Sequence, residues 1–282
     1  MWILTSLIVA FFGVLLLLEY LRPLRRRVEV KLPRLARNLA VSAVGAAAVQ
    51  LVEIPLIMPL SALVERREWG LLNLLQWPVW AEVILAVILM DYTLYVWHVL
   101  THRVPLLWRF HLVHHVDLDL DASTALRFHF GELLFSVPWR AAQVIIIGVS
   151  PISFLVWQGF VFFSILFHHS NVALPVKLER WMVRLVVTPR MHGIHHSIVR
   201  EETNSNWSSG LTVWDWLHGT LRLNVPQQEI IIGVPAYREQ EEVTVGKILL
   251  MPFGREKPAW QLPHNGQPAR PESTVAPDHL LA

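Results

Sequence analysis

The chain has 282 residues, of which 54% are hydrophobic and only 16% charged, and its mean hydropathy is +0.42. That apolar surplus exceeds what a soluble domain of this length needs for its core and points to a bilayer. The absence of cysteine excludes disulfides, thiolate metal sites and iron–sulfur clusters, and the formal charge of +2 comes without a basic helix or recognition motif, so no nucleic-acid partner is expected.

Trp2 to Leu18 is an apolar run. As a helix it is about 26 Å long, close to a hydrocarbon core of about 30 Å. Arg22, Arg25, Arg26 and Arg27 follow it, and no small-residue cleavage site does. This order reads as an uncleaved span ending in the cytoplasm, not as a secretory signal. A second run, Asn38 to about Leu63, is interrupted by Glu53, Pro55 and Pro59 and ends in Glu65, Arg66, Arg67 and Glu68, expected to face outward. A third, about Val79 to Leu100, carries Trp77, Trp80 and Trp97 at belt positions and returns the chain to the first side. Glu132 to Val149 and Pro151 to Phe167 are joined by a Gly–Val–Ser–Pro turn and predict an antiparallel helical hairpin. Lys177, Arg180, Arg184, Arg190 and Arg200 put the following segment on the same cytoplasmic face.

The expected fold is an all-α integral membrane protein with about four to five membrane-embedded helices and a cytoplasmic histidine-rich helical cap. Residues 1–78 are read as N-terminal spans, 79–221 as a catalytic unit and 222–254 as a peripheral segment. Within that segment, Gly233 to Phe253 is expected to form a strand or loop and then a short amphipathic helix. Residues 255–282, rich in Pro, Gln and Asn, are expected to be disordered, because they cannot bury enough apolar area to offset their ordering entropy.

Three histidine clusters punctuate this plan: His98 with His102, then His111, His114 and His115, then His192, His195 and His196. Helical positions four apart lie about 5–6 Å from each other on one face. H-x-x-x-H followed by two H-x-x-H-H boxes can therefore converge from three segments. Metal–nitrogen bonds of about 2.0–2.1 Å and paired metals about 3.5–4 Å apart fit that many rings, whereas one ion would leave half of them idle. Since imidazole binds metal when neutral, loading is expected to fall below about pH 6.5. His264 and His279 are read as solvated residues of the tail.

The three boxes, with T-P-R-M-H-G-I-H-H-S, E-T-N-S-N-W and L-T-V-W-D-W-L-H-G-T around the third, resemble the fatty acid hydroxylase and sterol desaturase superfamily, most of all its short bacterial members. The resemblance covers roughly Asp91 to Leu221. It implies a non-haem di-iron centre of two iron ions with mainly histidine ligands, using O₂ to hydroxylate or desaturate an apolar lipid chain such as a sterol or fatty acid, in a bacterial inner membrane. It adds His169, in H-S-N, to the ligand set and makes His129, in R-F-H-x-x-E, a further candidate; His168, beside His169, is kept as another although the family pattern does not call for it. The chain departs from the family pattern at His168, where glutamine is expected, at His218, where phenylalanine is expected, and at Ser164, where some members carry a histidine.

Ring N–H groups around such a centre need acceptors. The candidates are Asp91, Glu132, Asp117, Asp121, Asn204, Asn206 and Asp215; Asp119 with its neighbours could instead be solvated, and Asp215 could cap a helix. Asp91 lies near the midplane of its span, as does Arg140, and an ion pair between them is expected to brace the two spans. The chain has no G-x-G-x-x-G fingerprint and no fused cytochrome b5 haem motif, so a separate ferredoxin or cytochrome b5-type electron donor is implied. Basic residues from Lys177 to Arg200 could dock an acidic donor. The rival reading is a histidine-lined membrane metal or haem carrier without oxygenase activity. A metalloprotease is disfavoured because no H-E-x-x-H occurs.

Overall fold

The computed structural model describes residues 2–262 and 266–268, so His264 and His279 lie outside the described residues. Among the described residues the architecture is helical, with isolated bridges and no strand. Five helices are long and apolar enough to cross a membrane. α1 (Trp2–Leu21) and α2 (Lys31–Ala48) are followed by a π turn (Val49–Glu53) that leads directly into α3 (Ile54–Arg67). The π turn sits just before Pro55, which has no N–H to donate and whose ring crowds the carbonyl one turn back, so the helix widens there and turns Glu53 inward. The Lys31–Leu74 stretch is 44 residues long, more than the about 20 that one crossing needs. Its first turns accordingly belong to the cap.

α4 (Val79–Arg103), α6 (Phe130–Ile147) and α7 (Pro151–His169) complete the spans. The α6–α7 hairpin turns through Gly148, whose φ of +85° favours a residue without Cβ; a Cβ there would lie 2.7 Å from the Trp69 carbonyl oxygen. Ser150 caps α7, and the Ser150 and Ser153 hydroxyls each donate to Glu82 Oε1 at 2.8 Å. These contacts mark one end of the bundle. At that end and through its middle, Ile57, Val64, Met90, Val144 and Phe154 pack between α3, α4, α6 and α7.

At the other end the chain folds over itself. α5 (Pro105–His115), α8 (Val176–Met182), α9 (Pro189–His195), α10 (Arg200–Thr203), α11 (Val213–Leu217) and α12 (Val245–Leu250) build the cap. The exit of α1 is stitched to the end of α7: Leu24 N–H donates to Asn171 O, and Glu19 Oε1 accepts from the backbone N–H groups of Ala122 and Asn171. Arg34, at the start of α2, is buried and donates to Asp117 at 2.7 and 2.9 Å, to Asp121 and to Thr124. Arg127, also fully buried, lies 3.3 Å from Asp117. Burial pushes the Asp117 carboxyl up, but the guanidiniums of Arg34, Arg127 and Arg37 outweigh it and hold the group well below the usual carboxylate range.

One expectation is corrected. Asp91 and Arg140 do not pair. Asp91 Oδ2 accepts from Leu211 N–H at 2.9 Å and Trp214 Nε1–H at 2.7 Å, whereas Arg140 Nε stands 3.7 Å from Glu53 and its guanidinium lies 4.2 Å over the Trp157 ring. Equal depth on two helices does not place two side chains on facing sides, and the π turn offers Arg140 a nearer carboxylate. Among the described residues after Arg255, Ala259 is buried and Trp260 stacks on Trp108 at 5.7 Å. Residues 233–253 form loop and short helix, without the strand considered for them.

Candidate metal centre

All three boxes meet at the cap end of the spans. The last turns of α4 present His98 and His102. The chain breaks at Val104, and Pro105, at the first turn of α5, restarts a helix that carries His111, His114 and His115. α9 starts similarly, with Thr188 capping Met191 N–H and Pro189 at its first turn, and delivers His192, His195 and His196. His169 is the last residue of α7.

Nine rings form two adjoining groups. His98, His102, His111, His115 and His195 make one; His114, His169, His192 and His196 make the other. Within each group, one ring nitrogen per residue lies within 4.8 Å of all the others. The groups touch where His115 stacks on His196 at 4.4 Å.

Ring orientation follows from what the outer nitrogens meet. His98 Nδ1 lies 2.7 Å from Trp207 O, His195 Nδ1 2.8 Å from Ser205 O, His169 Nδ1 2.7 Å from Ile165 O, and His111 Nδ1 2.8 Å from Glu132 Oε1. Each partner is an acceptor, so each Nδ1 carries the hydrogen and each Nε2 is left with a lone pair. The inward Nε2 atoms crowd together. His169 Nε2 is 3.0 Å from Nε2 of both His114 and His192, His192 Nε2 is 3.1 Å from that of His196, and His111 Nε2 is 3.2 Å from that of His115. His195 Nε2 and both nitrogens of His102 are buried without a partner.

With its outer Nδ1 bound to an acceptor, the Nε2 of His169 or His111 offers a lone pair that a cation between the rings would satisfy. With metal–nitrogen bonds of about 2.1 Å, neighbouring ligand nitrogens on one ion stand about 3.0–3.4 Å apart. The separations found here have that spacing, so the donor set fits two imidazole-bound ions. Burial and the neighbouring imidazoles push His114, His115, His192 and His196 well below the ordinary histidine pKa, and burial takes His195 down to about 3. These five rings are therefore neutral, the form that ligates.

Other candidates stand outside the groups. His129 caps α6: its Nδ1 accepts from Gly131 N–H at 2.9 Å and its Nε2 lies 3.1 Å from Leu249 O, so neither nitrogen is free. His168 is adjacent, its ring 4.1 Å from that of His192, but its Nδ1 has no partner and the backbone of Ser209 takes its other side. His218 stacks on Tyr92 and Tyr95.

Of the expected ring acceptors, only Glu132 meets a histidine. Asp117 and Asp121 serve the arginine network, while Asp119 accepts from the backbone N–H groups of Val28 and Glu29. Asp215 works one step removed: it accepts from Trp207 N–H and Ser208 N–H, both at 2.9 Å, fixing the loop whose carbonyls orient His98 and His195. Asn206 sits in that loop at φ +53°, a left-handed conformation that asparagine tolerates, and its side chain binds Met191 O and Arg222 O; Asn204 binds only Arg200 O. The sequence reading missed the carbonyls of Ser205, Trp207 and Ile165, since a backbone acceptor carries no residue signature. It also missed Arg25, read as a topology signal, which is buried against Gln227 and Pro189 O beside the third box. Arg190, grouped with surface charges, is turned inward onto Glu179 at 2.8 Å.

Residues 83–220 match the family described as fatty acid hydroxylase. Curated relatives include the ornithine lipid hydroxylase OlsE of Rhizobium tropici, 36% identical over 149 residues (51% of this chain and 43% of that protein). Cholesterol 25-hydroxylase of Homo sapiens is 28% identical over 144 residues, covering 50% of this chain and 51% of that protein. Alkylglycerol monooxygenase of Homo sapiens is 25% identical over 147 residues, covering 51% and 31%. The chain thus spans about half, or less, of the length of these relatives. No solved structure matches it. With its boxes in order and its histidines gathered at one end of five apolar helices, the chain is similar, through residues 83–220, to the fatty acid hydroxylase family.

Proposed function

We propose that the protein is a membrane-bound di-iron oxygenase that hydroxylates an apolar lipid. The observation that carries this reading is the pair of histidine groups whose inward Nε2 atoms face each other at 3.0–3.2 Å in a buried layer at the end of the spans. His98, His102, His111, His115 and His195 would hold one ion and His114, His169, His192 and His196 the other. When bound, iron supplies the redox chemistry needed to activate O₂ and attack an unactivated C–H bond, which zinc does not. The protein groups hold and orient: Glu132 fixes His111, the 205–208 loop fixes His98 and His195, and the neighbouring apolar spans exclude water. His129 is left out of the ligand set because both of its nitrogens are spent.

The named activities of the relatives favour hydroxylation over desaturation, and ornithine lipid, cholesterol and alkylglycerol share an apolar chain. The catalytic unit is taken as residues 79–221. Arginines 22, 26 and 27 after the first span support a cytoplasmic site in a bacterial inner membrane. Electrons come from a separate ferredoxin or cytochrome b5-type donor. The test is to compare, by mass, lipid extracts of cells making the protein and its His195→Ala variant. A lipid heavier by one oxygen atom only with the wild type supports hydroxylation. Loss of two hydrogens indicates desaturation, and identical extracts refute both.

A further inference from the structure

We propose that two cap segments, residues 178–187 and 211–217, are immersed in the acyl chains of the bilayer beside α4, so that part of the cap lies on the membrane side of the histidine layer. The spans supply the ruler. Glu82 of α4 is level with Ser150 and Ser153 at the start of α7, because both hydroxyls bind it. Going up α4 from Glu82 at about 1.5 Å per residue, Asp91 lies about 14 Å higher, Tyr95 about 20 Å and His98 about 24 Å. Along α7, His169 lies about 28 Å above Ser150. The histidine layer is therefore close to the upper boundary of a hydrocarbon core of about 30 Å, and Asp91 is near the midplane.

The 211–217 segment hangs from α4 below that layer. Leu211 N–H and Trp214 Nε1–H both donate to Asp91. Beyond α11, His218 stacks on Tyr92 and Tyr95, and Thr220 meets the Tyr95 hydroxyl at 3.1 Å. The segment thus occupies depths of about 14–20 Å, about 4–10 Å below His98. Residues 185–187 run beside it: Thr212 N–H donates to Leu185 O and Val187 N–H to Gly210 O.

At this depth the outward side chains are apolar. Trp216 is 71% exposed and Leu217 60%, with Val213, Leu178, Trp181 and Leu185 also exposed. Such a patch is costly against water and ordinary against acyl chains. It continues the apolar outer face of α4, where Ile84 and Val79 are likewise exposed. Irregular backbone is tolerated at membrane depth only if its polar groups are satisfied within the protein. Asp91 and Asp215 do this for Leu211, Trp207 and Ser208. Arg184, whose guanidinium lies 4.6 Å over the Trp181 ring, and Lys177 give the patch a basic edge of the kind that reaches anionic headgroups.

The chain contains no cysteine, so single cysteines can be placed without background. Val213→Cys, Trp216→Cys, Leu217→Cys and Leu185→Cys are each coupled to a nitroxide, with Ile84→Cys as the lipid-facing reference and Glu241→Cys as the water-facing one. The proteins are reconstituted in vesicles of phosphatidylethanolamine and phosphatidylglycerol, and collision of the label with O₂ and with a water-soluble nickel chelate is measured. The expected oxygen-to-nickel ratio at 185, 213, 216 and 217 is at least that of position 84 and several-fold above that of 241. A ratio equal to that of 241 places the cap in water and overturns the proposal. Shielding from both probes with spin–spin broadening also overturns it, by showing a second copy on the patch. The three neighbouring positions are read separately, so one variant that fails to fold does not decide the result. None of the labelled residues touches a histidine of the two groups, and the outcome does not depend on activity.

Discussion

His98 Nδ1 is 2.7 Å from the carbonyl oxygen of Trp207, and that carbonyl is held in place by Asp215, which accepts from Trp207 N–H at 2.9 Å. A carboxylate that touches no imidazole therefore sets the direction in which an imidazole lone pair points. Ser205 O does the same for His195 from the same loop. Outer partners of metal-bound histidines commonly contribute about 10–100-fold to metal affinity or activity. Asp215→Ala is expected to lose metal and turnover in that range while the four-histidine group stays loaded. Metal content per chain, read with turnover, checks this. Unchanged content and turnover would show that the loop holds itself.

Glu132 acts directly, accepting from His111 Nδ1–H at 2.8 Å. Glu132→Gln keeps a carbonyl acceptor of nearly the same length and should bind metal only modestly less well. Glu132→Ala leaves a buried N–H unpaired and should lose about 10–100-fold in affinity. Titration of apo protein with Fe²⁺ separates the two variants. Equal affinities would mean that packing, not the hydrogen bond, orients His111.

Removing His195 or His114 tests the groups individually. His195 belongs to the five-member group and His114 to the four-member group. Each Ala variant should insert in the membrane, lack turnover, and retain metal chiefly in the untouched group. Wild-type protein should carry about two ions per chain. A wild-type content near one would refute the paired site.

Much of this was legible in the sequence because the signals are local. The spans are apolar runs, the α6–α7 hairpin is marked by Gly148 and Ser150, and the boxes are spaced for one helix face. What escaped depends on azimuth and distance along the chain. Asp91 and Arg140 were matched by depth, yet Asp91 turns toward Leu211 and Trp214, 120 or more residues away, and Arg140 toward Glu53, which a π turn rotates inward. Arg25 looked like an ordinary charge flanking a span; its partner Gln227 lies 202 residues on. Trp260 sits in a Pro-rich segment whose composition suggested no packing, but Trp108 offers it an aromatic face.

The Arg34–Asp117 pair, buried at the root of the cap, offers a stability test free of metal chemistry. Deleting one member of a buried pair strands the other charge and costs about 3–5 kcal/mol. Arg34→Ala should lower the thermal midpoint of detergent-solubilised protein markedly, by loosening the cap while the spans remain. Arg34→Ala with Asp117→Asn should recover part of the loss. A single variant as stable as wild type would show that Arg37 and Arg127 suffice to neutralise Asp117.

Acidification separates the histidines from this network. His195, at about 3, and its buried neighbours titrate below the unfolded value of about 6.5. As pH falls from 6.5, the unfolded chain takes up protons that the folded rings refuse, so apo stability is full above about pH 6.5 and drains away toward pH 3. Asp117, held below the ordinary carboxylate value of about 3.9, contributes stability that is lost only below that value. Metal loading should therefore persist below pH 6.5, lower than sequence alone suggested, and disappear together with the fold, not by titration of an intact site. Parallel measurement of metal content and near-ultraviolet circular dichroism between pH 7 and 4 decides the matter. Metal released while the dichroism is unchanged would mean that the rings are more accessible to protons than their burial implies.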